Sequence, residues 1–180
     1  MKHLLIKAVL VFLVPVALFS CKEDPYAEWK ILNENKYAEE LIRISNDSTY
    51  KVTSSGLCYK IIYPGNMKKP NKNSYVVVEY SGTLITGEVF DSGTYKYYLS
   101  SAVDGWQEAI TKIRVGGRMK IFFPHTLGYG EDGSGTIPPY SMLYFDIELL
   151  EASYRDWETD RKSTRLNSSH RSLSRMPSSA

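Results

Sequence analysis

The sequence predicts an α+β fold, in which an antiparallel β-sheet packs against one short α-helix. Strand patterns dominate from residue 49 to residue 151, with apolar side chains at alternate positions of the longest runs. A single internal helical pattern lies between two of these runs. Because a span of about 100 residues can bury one hydrophobic core, residues 49–152 are predicted to form one domain.

The start of the chain is predicted to be a signal peptide, residues 1–20, rather than part of this domain. A short basic segment is followed by an apolar run over residues 8–19 and then by Cys21. The run is shorter than the roughly 20 apolar residues that a membrane-spanning helix needs. Residues 18–21 resemble the lipobox of bacterial lipoproteins, which implies that Cys21 is acylated and anchors the protein to a membrane.

This resemblance implies a lipid-anchored protein in the cell envelope, outside the cytoplasm. Glu23 and Asp24 follow the cysteine and resemble a surface-export signal of some bacterial lipoproteins, which favours the outer membrane over the inner one. The chain has one other cysteine, Cys58, so no disulfide framework is predicted. Cys58 lies in the apolar, β-prone run 57–63 and is expected to be a small buried side chain.

The two ends of the chain account for its positive net charge of +2. Residues 22–152 contain 14 basic and 17 acidic side chains, a net charge of −3, so no nucleic-acid partner is expected. Residues 153–180 lack hydrophobic periodicity and are predicted to form a disordered tail. Residues 161–170 resemble translated vector sequence, and the alternative is a basic tail on anionic lipid.

Residues 21–48 are predicted to form the lipidated cysteine, a charged spacer and an amphipathic helix of about five turns. Pro25 suits the first helical turn. The side chains of one face recur at three- and four-residue steps: Trp29, Leu32, the pair Lys36 and Tyr37, Leu41 and Ile44. Because such a helix is unstable alone in water, it is expected to dock on the domain or to pair with another copy in a homodimer. The sequence favours docking or a spacer role.

Two long runs of the domain alternate between apolar and other side chains and are predicted to be half-buried antiparallel strands. Their apolar faces comprise Val76, Val78 and Tyr80 in one run and Met119, Ile121 and Phe123 in the other.

The internal helix lies between these strands. Asp104 is expected to cap its start, and Gln107 three residues later completes a capping-box pattern. Residues 115–117, with two glycines, are expected to end it. Its apolar face comprises Trp106, Ala109, Ile110 and Ile113.

A glycine-rich loop, residues 128–135, leads through Pro138 and Pro139 into the last alternating run, residues 142–150. Glycine permits backbone angles that other residues avoid, whereas proline fixes φ. The loop is therefore predicted to form a rim beside the sheet.

Seven short blocks of the domain resemble, in order, those of FKBP-type peptidyl-prolyl isomerases. They are residues 78–82, 87–92, 105–106, 115–117, 127–130, 137–139 and 143–150. The resemblance covers about residues 55–151 and is specific as a set, although no single block would suffice. It implies a curved antiparallel sheet wrapped around the short helix, with an apolar pocket between them.

The resemblance also implies the residues of the site. Its catalytic residues would be Asp91, Trp106, Tyr129 and Phe145, and its substrate-binding residues Tyr80, Phe90, Val103 and Ile137. Trp106 would form the floor of the pocket, with Phe90 and Phe145 as walls around a proline ring. Tyr95 and Tyr97 stand where the family more often has phenylalanine.

In this family the Val103 N–H and the Tyr129 hydroxyl would face substrate carbonyls, and Asp91 would accept hydrogen bonds at the edge. The implied reaction is isomerisation of X–Pro bonds in proline-containing polypeptides, which needs no cofactor, metal or nucleophile. The alternative function is a non-catalytic binding or chaperone module at the membrane surface. Aromatic side chains also pack in ordinary cores, but a glycine-rich rim and polar groups opposite them are typical of a small-ligand site.

Overall fold

The computed structural model describes residues 24–153. The expectations for residues 1–23, with the signal peptide and Cys21, and for the tail at 154–180 lie outside the described residues. The elements are α1 (Ala27–Ser45), β1 (Tyr50–Val52), β2 (Cys58–Tyr63), β3 (Tyr75–Thr83), β4 (Val89–Tyr98), α2 (Asp104–Ile110), β5 (Gly117–Phe123) and β6 (Leu143–Ser153). Short 3-10 turns follow β4 at Leu99–Ser101 and β5 at His125–Leu127.

The strands form one antiparallel sheet in the order β1-β2-β5-β6-β3-β4. One face of the sheet and α2 enclose the main hydrophobic core. The fully buried core side chains include Val76, Val78, Met119, Phe123 and Ile147. The apolar faces predicted for β3 and β5 lie in this core, but Val77 and Phe122 on the opposite faces are buried as well. The α+β class with one short internal helix is confirmed.

The other face of the sheet receives α1. Successive side chains of a strand point to opposite faces of the sheet. Phe122 and Tyr144 therefore lie on the face away from the main core and pack in the cluster that includes α1. Ile44 of α1 packs there against Cys58, Phe122 and Met142. The structure shows the docking that the sequence favours, and pairing of α1 with another copy stays a prediction. Within residues 24–153 no helix is both long enough and apolar enough to cross a membrane.

The buried stripe of α1 is more polar than its apolar spacing predicts. Leu32 is exposed, whereas Asn33 and Glu40 are buried. The side chain of Asn33 accepts a hydrogen bond from the Met142 N–H at 2.8 Å. Glu40 pairs with Arg43 at 2.6 Å and with Lys36 at 3.6 Å. Hydrogen bonds and ion pairs offset the cost of burying these groups, which hydrophobic periodicity cannot reveal.

The predicted ends of α2 are wrong. Val103, not Asp104, is the N-cap, and no side chain caps the helix. Gln107 Nε2 donates to the Ala102 carbonyl at 2.8 Å, so no capping box forms. The helix ends at Ile110. The Lys112 and Ile113 N–H groups still donate to Ala109 and Ile110, whereas those of Arg114 and Val115 donate to the Pro64 and Lys68 carbonyls in the loop after β2. Tertiary partners replace the last helical turn.

Cys58 is fully buried between the sheet and α1, as expected from its apolar neighbours. Burial is the largest cause that raises the pKa of its thiol to about 11. We expect the native thiol to resist alkylation at neutral pH and to react rapidly in denaturant, because both thiolate and access are missing in the fold. Thiol titration of residues 22–153, which contain only this cysteine, measures it; fast native labelling would contradict the docking of α1.

Candidate functional site

A cavity of about 340 Å³ opens beside α2. Its wall is mostly aromatic, and it comprises Tyr80, Phe90, Asp91, Tyr95, Tyr97, Ser101, Ala102, Val103, Trp106, Tyr129 and Phe145. These residues come from β3, β4, β6, α2, the turn before α2 and the loop after β5. The cavity is therefore built by three strands, α2 and two connecting segments rather than by one segment.

The strand register brings three residues of the site to one face of the sheet. Gly82 of β3 lies opposite Asp91 of β4 on one side and opposite Phe145 of β6 on the other. Residues directly opposite each other in an antiparallel pair share a face. Tyr80, two residues before Gly82, lies on the same face and reaches the pocket beside them.

A β-bulge in β4 adds Phe90 to this face. Gly82 pairs with Asp91, but the next residue of β3, Thr83, pairs with Val89, so Phe90 is the extra residue. In a regular strand Phe90 and Asp91 would point to opposite faces, whereas here both line the cavity. The bulge therefore gives one short segment both an apolar wall and a carboxylate.

The aromatic rings meet edge to face around Trp106. The ring centroids of Trp106 and Tyr80 lie 5.0 Å apart, and those of Trp106 and Phe145 lie 5.1 Å apart, both at steep angles. Phe90 meets Phe145 at 5.6 Å and 89°. Edge-to-face pairs are favoured because the positive edge of one ring meets the negative face of the other, and this stabilises the observed ring orientations. The rings thus form a continuous aromatic wall that includes Trp106.

Gly82 leaves the space that two of these rings occupy. A Cβ atom at this position would lie 2.6 Å from Phe90 Cζ and 2.7 Å from Phe145 Cε1, closer than real contacts allow. The lack of a side chain at Gly82 thus leaves room for the two rings that form the pocket wall.

The polar groups of the cavity lie at its edge. The Tyr80 hydroxyl donates a hydrogen bond to Asp91 Oδ2. Burial raises the pKa of Tyr80, and the bond to Asp91 raises it further, so the hydroxyl stays protonated as a donor. Burial also raises the pKa of Tyr129, with the charge of Asp91 as the next cause. The Tyr129 side chain remains 38% exposed and can reach a bound molecule.

Two further groups belong to the turn and the floor. Val103 caps α2, and its carbonyl accepts the N–H groups of Trp106 and Gln107. Its own N–H makes no hydrogen bond within residues 24–153. Among the same residues the Tyr97 hydroxyl and Trp106 Nε1 are buried without a partner. The cavity thus offers hydrogen-bond donors around an apolar centre.

The structure brings seven of the eight predicted site residues together: Tyr80, Phe90, Asp91, Val103, Trp106, Tyr129 and Phe145. Ile137 is not among the lining residues. Its side chain is 7% exposed and packs into the main core, because a tight turn pairs its backbone with Ser134. Sequence reasoning missed Ser101 and Ala102, which have no chemical signature and line the cavity through their place before α2.

No group of three or more His, Cys, Asp or Glu side chains arranged to hold a metal ion occurs in residues 24–153. What the arrangement can do is bind a small apolar ring flanked by hydrogen-bond acceptors, since its centre is aromatic and its edge carries donors.

Residues 66–150 match the family of FKBP-type peptidyl-prolyl cis-trans isomerases. The chain is 36% identical over 124 residues to the FKBP-type peptidyl-prolyl cis-trans isomerase FkpA of Escherichia coli, a match that covers 66% of this chain and 46% of that protein. The chain therefore spans about half the length of this relative.

Solved structures of related proteins also superpose on this chain. The crystal structure of FkpA from Escherichia coli superposes with a TM-score of 0.67 at 34% identity, covering 71% of this chain and 62% of the other. A peptidyl-prolyl cis-trans isomerase from Pseudomonas syringae superposes with a TM-score of 0.64 at 28% identity, covering 73% of this chain and 98% of the other.

Proposed function

Because this chain belongs to the family of FKBP-type peptidyl-prolyl cis-trans isomerases, we propose that it catalyses cis-trans isomerisation of X–Pro bonds in polypeptide substrates. The observation that supports this most strongly is the cavity of about 340 Å³, whose wall is mostly aromatic and carries a few hydrogen-bonding groups. A proline ring has the size and polarity for its centre.

The chemistry is a rotation rather than a bond cleavage. Twisting the X–Pro amide breaks its resonance, against a barrier of about 18–20 kcal/mol for peptide bonds generally. The planar amide is more dipolar than the twisted one, so an apolar, dry environment disfavours the planar state relative to the twisted state. This is differential binding, and each gain of about 1.4 kcal/mol raises the rate tenfold.

The seven predicted residues that line the cavity each have a role in this proposal. Trp106 supports the proline ring from below, while Phe90 and Phe145 hold it from the sides. The Tyr129 hydroxyl and the Val103 N–H donate to substrate carbonyls and fix the flanking chain. Asp91 holds Tyr80 in place through its hydroxyl. No contact with substrate is assigned to Ile137, which lies in the core.

The test is a protease-coupled assay on a peptide with one X–Pro bond, using residues 22–153. We expect the slow cis phase, which takes tens to hundreds of seconds unaided, to become faster in proportion to protein concentration. A folded protein that binds the peptide without accelerating this phase would favour the non-catalytic binding or chaperone module instead.

We further propose that the protein is a lipoprotein of the cell envelope whose clients are exported polypeptides. The support is the sequence of residues 1–24, with its basic start, short apolar run and Cys21. Residues Glu23 and Asp24 favour the outer membrane. Several acyl chains on one cysteine would anchor stably, whereas a single chain gives only marginal attachment.

Replacing Cys21 with serine is expected to move the protein out of the membrane fraction or to leave the signal peptide uncleaved, because serine offers no thiol for acylation. Fractionation of cells that express the full chain, with mass spectrometry of its N-terminus, measures this. The isomerase activity of the serine variant serves as the control and should equal that of the wild-type chain, because position 21 lies outside the domain. A correctly cleaved serine variant that stays in the membrane would show that the anchor lies elsewhere.

A further inference from the structure

The structure assigns a task to α1 beyond packing: we propose that Trp29 and Asn33 are positioning residues that hold Tyr129 at the pocket. They act through residues 138–142, which join the glycine-rich loop to β6. The catalytic part of this inference rests on the proposed isomerase function. The positioning itself can be tested without it.

Asn33 links the helix directly to the start of the last strand. Its side chain is 2% exposed, its Nδ2 donates to the Trp29 carbonyl at 2.8 Å, and its Oδ1 accepts the Met142 N–H at 2.8 Å. A buried amide with both ends engaged has one orientation, since any other leaves a buried group unpaired. Asn33 therefore fixes where Met142 lies relative to α1.

Trp29 makes a second link to the same segment. Its Nε1 donates to Ser141 Oγ at 3.0 Å, and the Ser141 hydroxyl donates in turn to the Pro138 carbonyl at 2.7 Å. Ser141 is 3% exposed, so this relay is shielded from water. These two hydrogen bonds connect α1 to Pro138, at the start of the segment that follows the glycine-rich loop.

Tyr140, which directly precedes Ser141, has the only positive φ among non-glycine residues in the described part of the chain, 61°. A residue of this kind holds such a conformation only where its surroundings enforce it. The Lys30 Nζ of α1 lies 4.6 Å from the centre of its ring, and the His125 ring lies 5.4 Å away on the loop side. Tyr140 is therefore held between α1 and the loop.

The backbone of Tyr140 completes the connection to the pocket. Its N–H donates to the Gly130 carbonyl at 2.9 Å, and the Gly130 N–H donates to the His125 carbonyl at 2.9 Å. Gly130 follows Tyr129, whose side chain lines the cavity. A displacement of about 1 Å in a group that orients substrate can cost up to about 100-fold in rate. The helix is thus coupled to Tyr129 through the hydrogen bonds of Trp29 and Asn33 to residues 141 and 142, and then through the bond from Tyr140 to Gly130.

The test compares Asn33→Ala with Asn35→Ala, the same change at an exposed position of the same helix. At a temperature where both are fully folded, we expect Asn33→Ala to lower kcat/KM about three- to tenfold and Asn35→Ala to leave it unchanged. In the Tyr129→Phe background, Asn33→Ala should cause no further loss, because the group it positions is gone. Equal losses in both backgrounds would overturn the inference.

Hydrogen exchange tests the positioning apart from catalysis. Asn33→Ala should speed exchange of the Tyr140 and Gly130 amides, while the amides of β3 keep their protection. Unchanged exchange at Tyr140 and Gly130 would overturn the inference even if activity fell. If the wild-type protein shows no isomerase activity but exchange responds as expected, the proposed function fails and the link from α1 to the loop stands.

Discussion

Replacing Gly82 with alanine is expected to lower kcat/KM for an X–Pro peptide by at least about tenfold. The added Cβ would lie within 2.7 Å of both Phe90 and Phe145, so one or both rings must move. These rings form the walls of the cavity, and space for a proline ring would be lost between them. Overpacking of this kind costs about 1–3 kcal/mol of stability, which the protein must survive for the assay to be informative.

Ser81→Ala is the matched control for Gly82→Ala, since it changes the neighbouring residue of β3, whose side chain points to the opposite face. It should alter stability by less than about 0.5 kcal/mol and leave kcat/KM intact. Urea unfolding of both variants, followed by assays where both are folded, separates stability from activity. Full activity in folded Gly82→Ala would show that the positions of the two rings do not matter for catalysis.

Asp91→Ala is the second substitution with a large expected effect. Asp91 accepts the hydroxyl of Tyr80, whose ring packs on Trp106. Hydrogen bonds to charged groups contribute about 1.5–3 kcal/mol, so their loss corresponds to a fall of about 10- to 100-fold in kcat/KM if it is expressed in the transition state. Asp91→Asn keeps a hydrogen-bond acceptor without the charge, and its kcat/KM should lie between those of the wild type and Asp91→Ala.

A double-mutant cycle with Tyr80→Phe tests the cause of that loss. If Asp91 acts by holding Tyr80, Asp91→Ala should cost clearly less in the Tyr80→Phe background than in the wild type. Removing Asp91 should also lower the pKa of Tyr80. This pKa should stay above its ordinary value, because burial is the largest cause of its rise. Additive losses would mean that Asp91 acts independently of Tyr80.

The sequence predicted the strand faces well because alternation is a local property. Val76 and Val78 in β3 and Met119 in β5 are buried as their spacing indicates. It also identified Trp106 and Phe145, through the resemblance of their blocks. Residues that stand in short, specific blocks could be found in this way without any contact information.

Other features depend on distant partners and could not be read from spacing. The bulge that turns Phe90 into the cavity is a matter of register between β3 and β4. After the early end of α2, the N–H groups of residues 114 and 115 find backbone partners at Pro64 and Lys68. Ile137 carries the family's motif, yet a tight turn directs its side chain into the core.

The buried polar groups of α1 are the clearest example of this limit. Asn33 is not among the positions of the predicted packing face, yet its side chain is only 2% exposed. Its partner, the Met142 N–H, lies more than 100 residues away in the chain. Hydrophobic periodicity predicts which helix docks, but it does not predict which side chains determine where it docks.

The most direct test of the isomerase function is exchange spectroscopy by NMR on a short peptide with one X–Pro bond. Without catalyst the cis and trans signals exchange over tens to hundreds of seconds, so a mixing time of about one second gives no exchange peaks. With a small molar fraction of residues 22–153, we expect exchange peaks between the two isomers, and their loss with Gly82→Ala. A folded wild-type protein that produces no exchange peaks would contradict the proposed function.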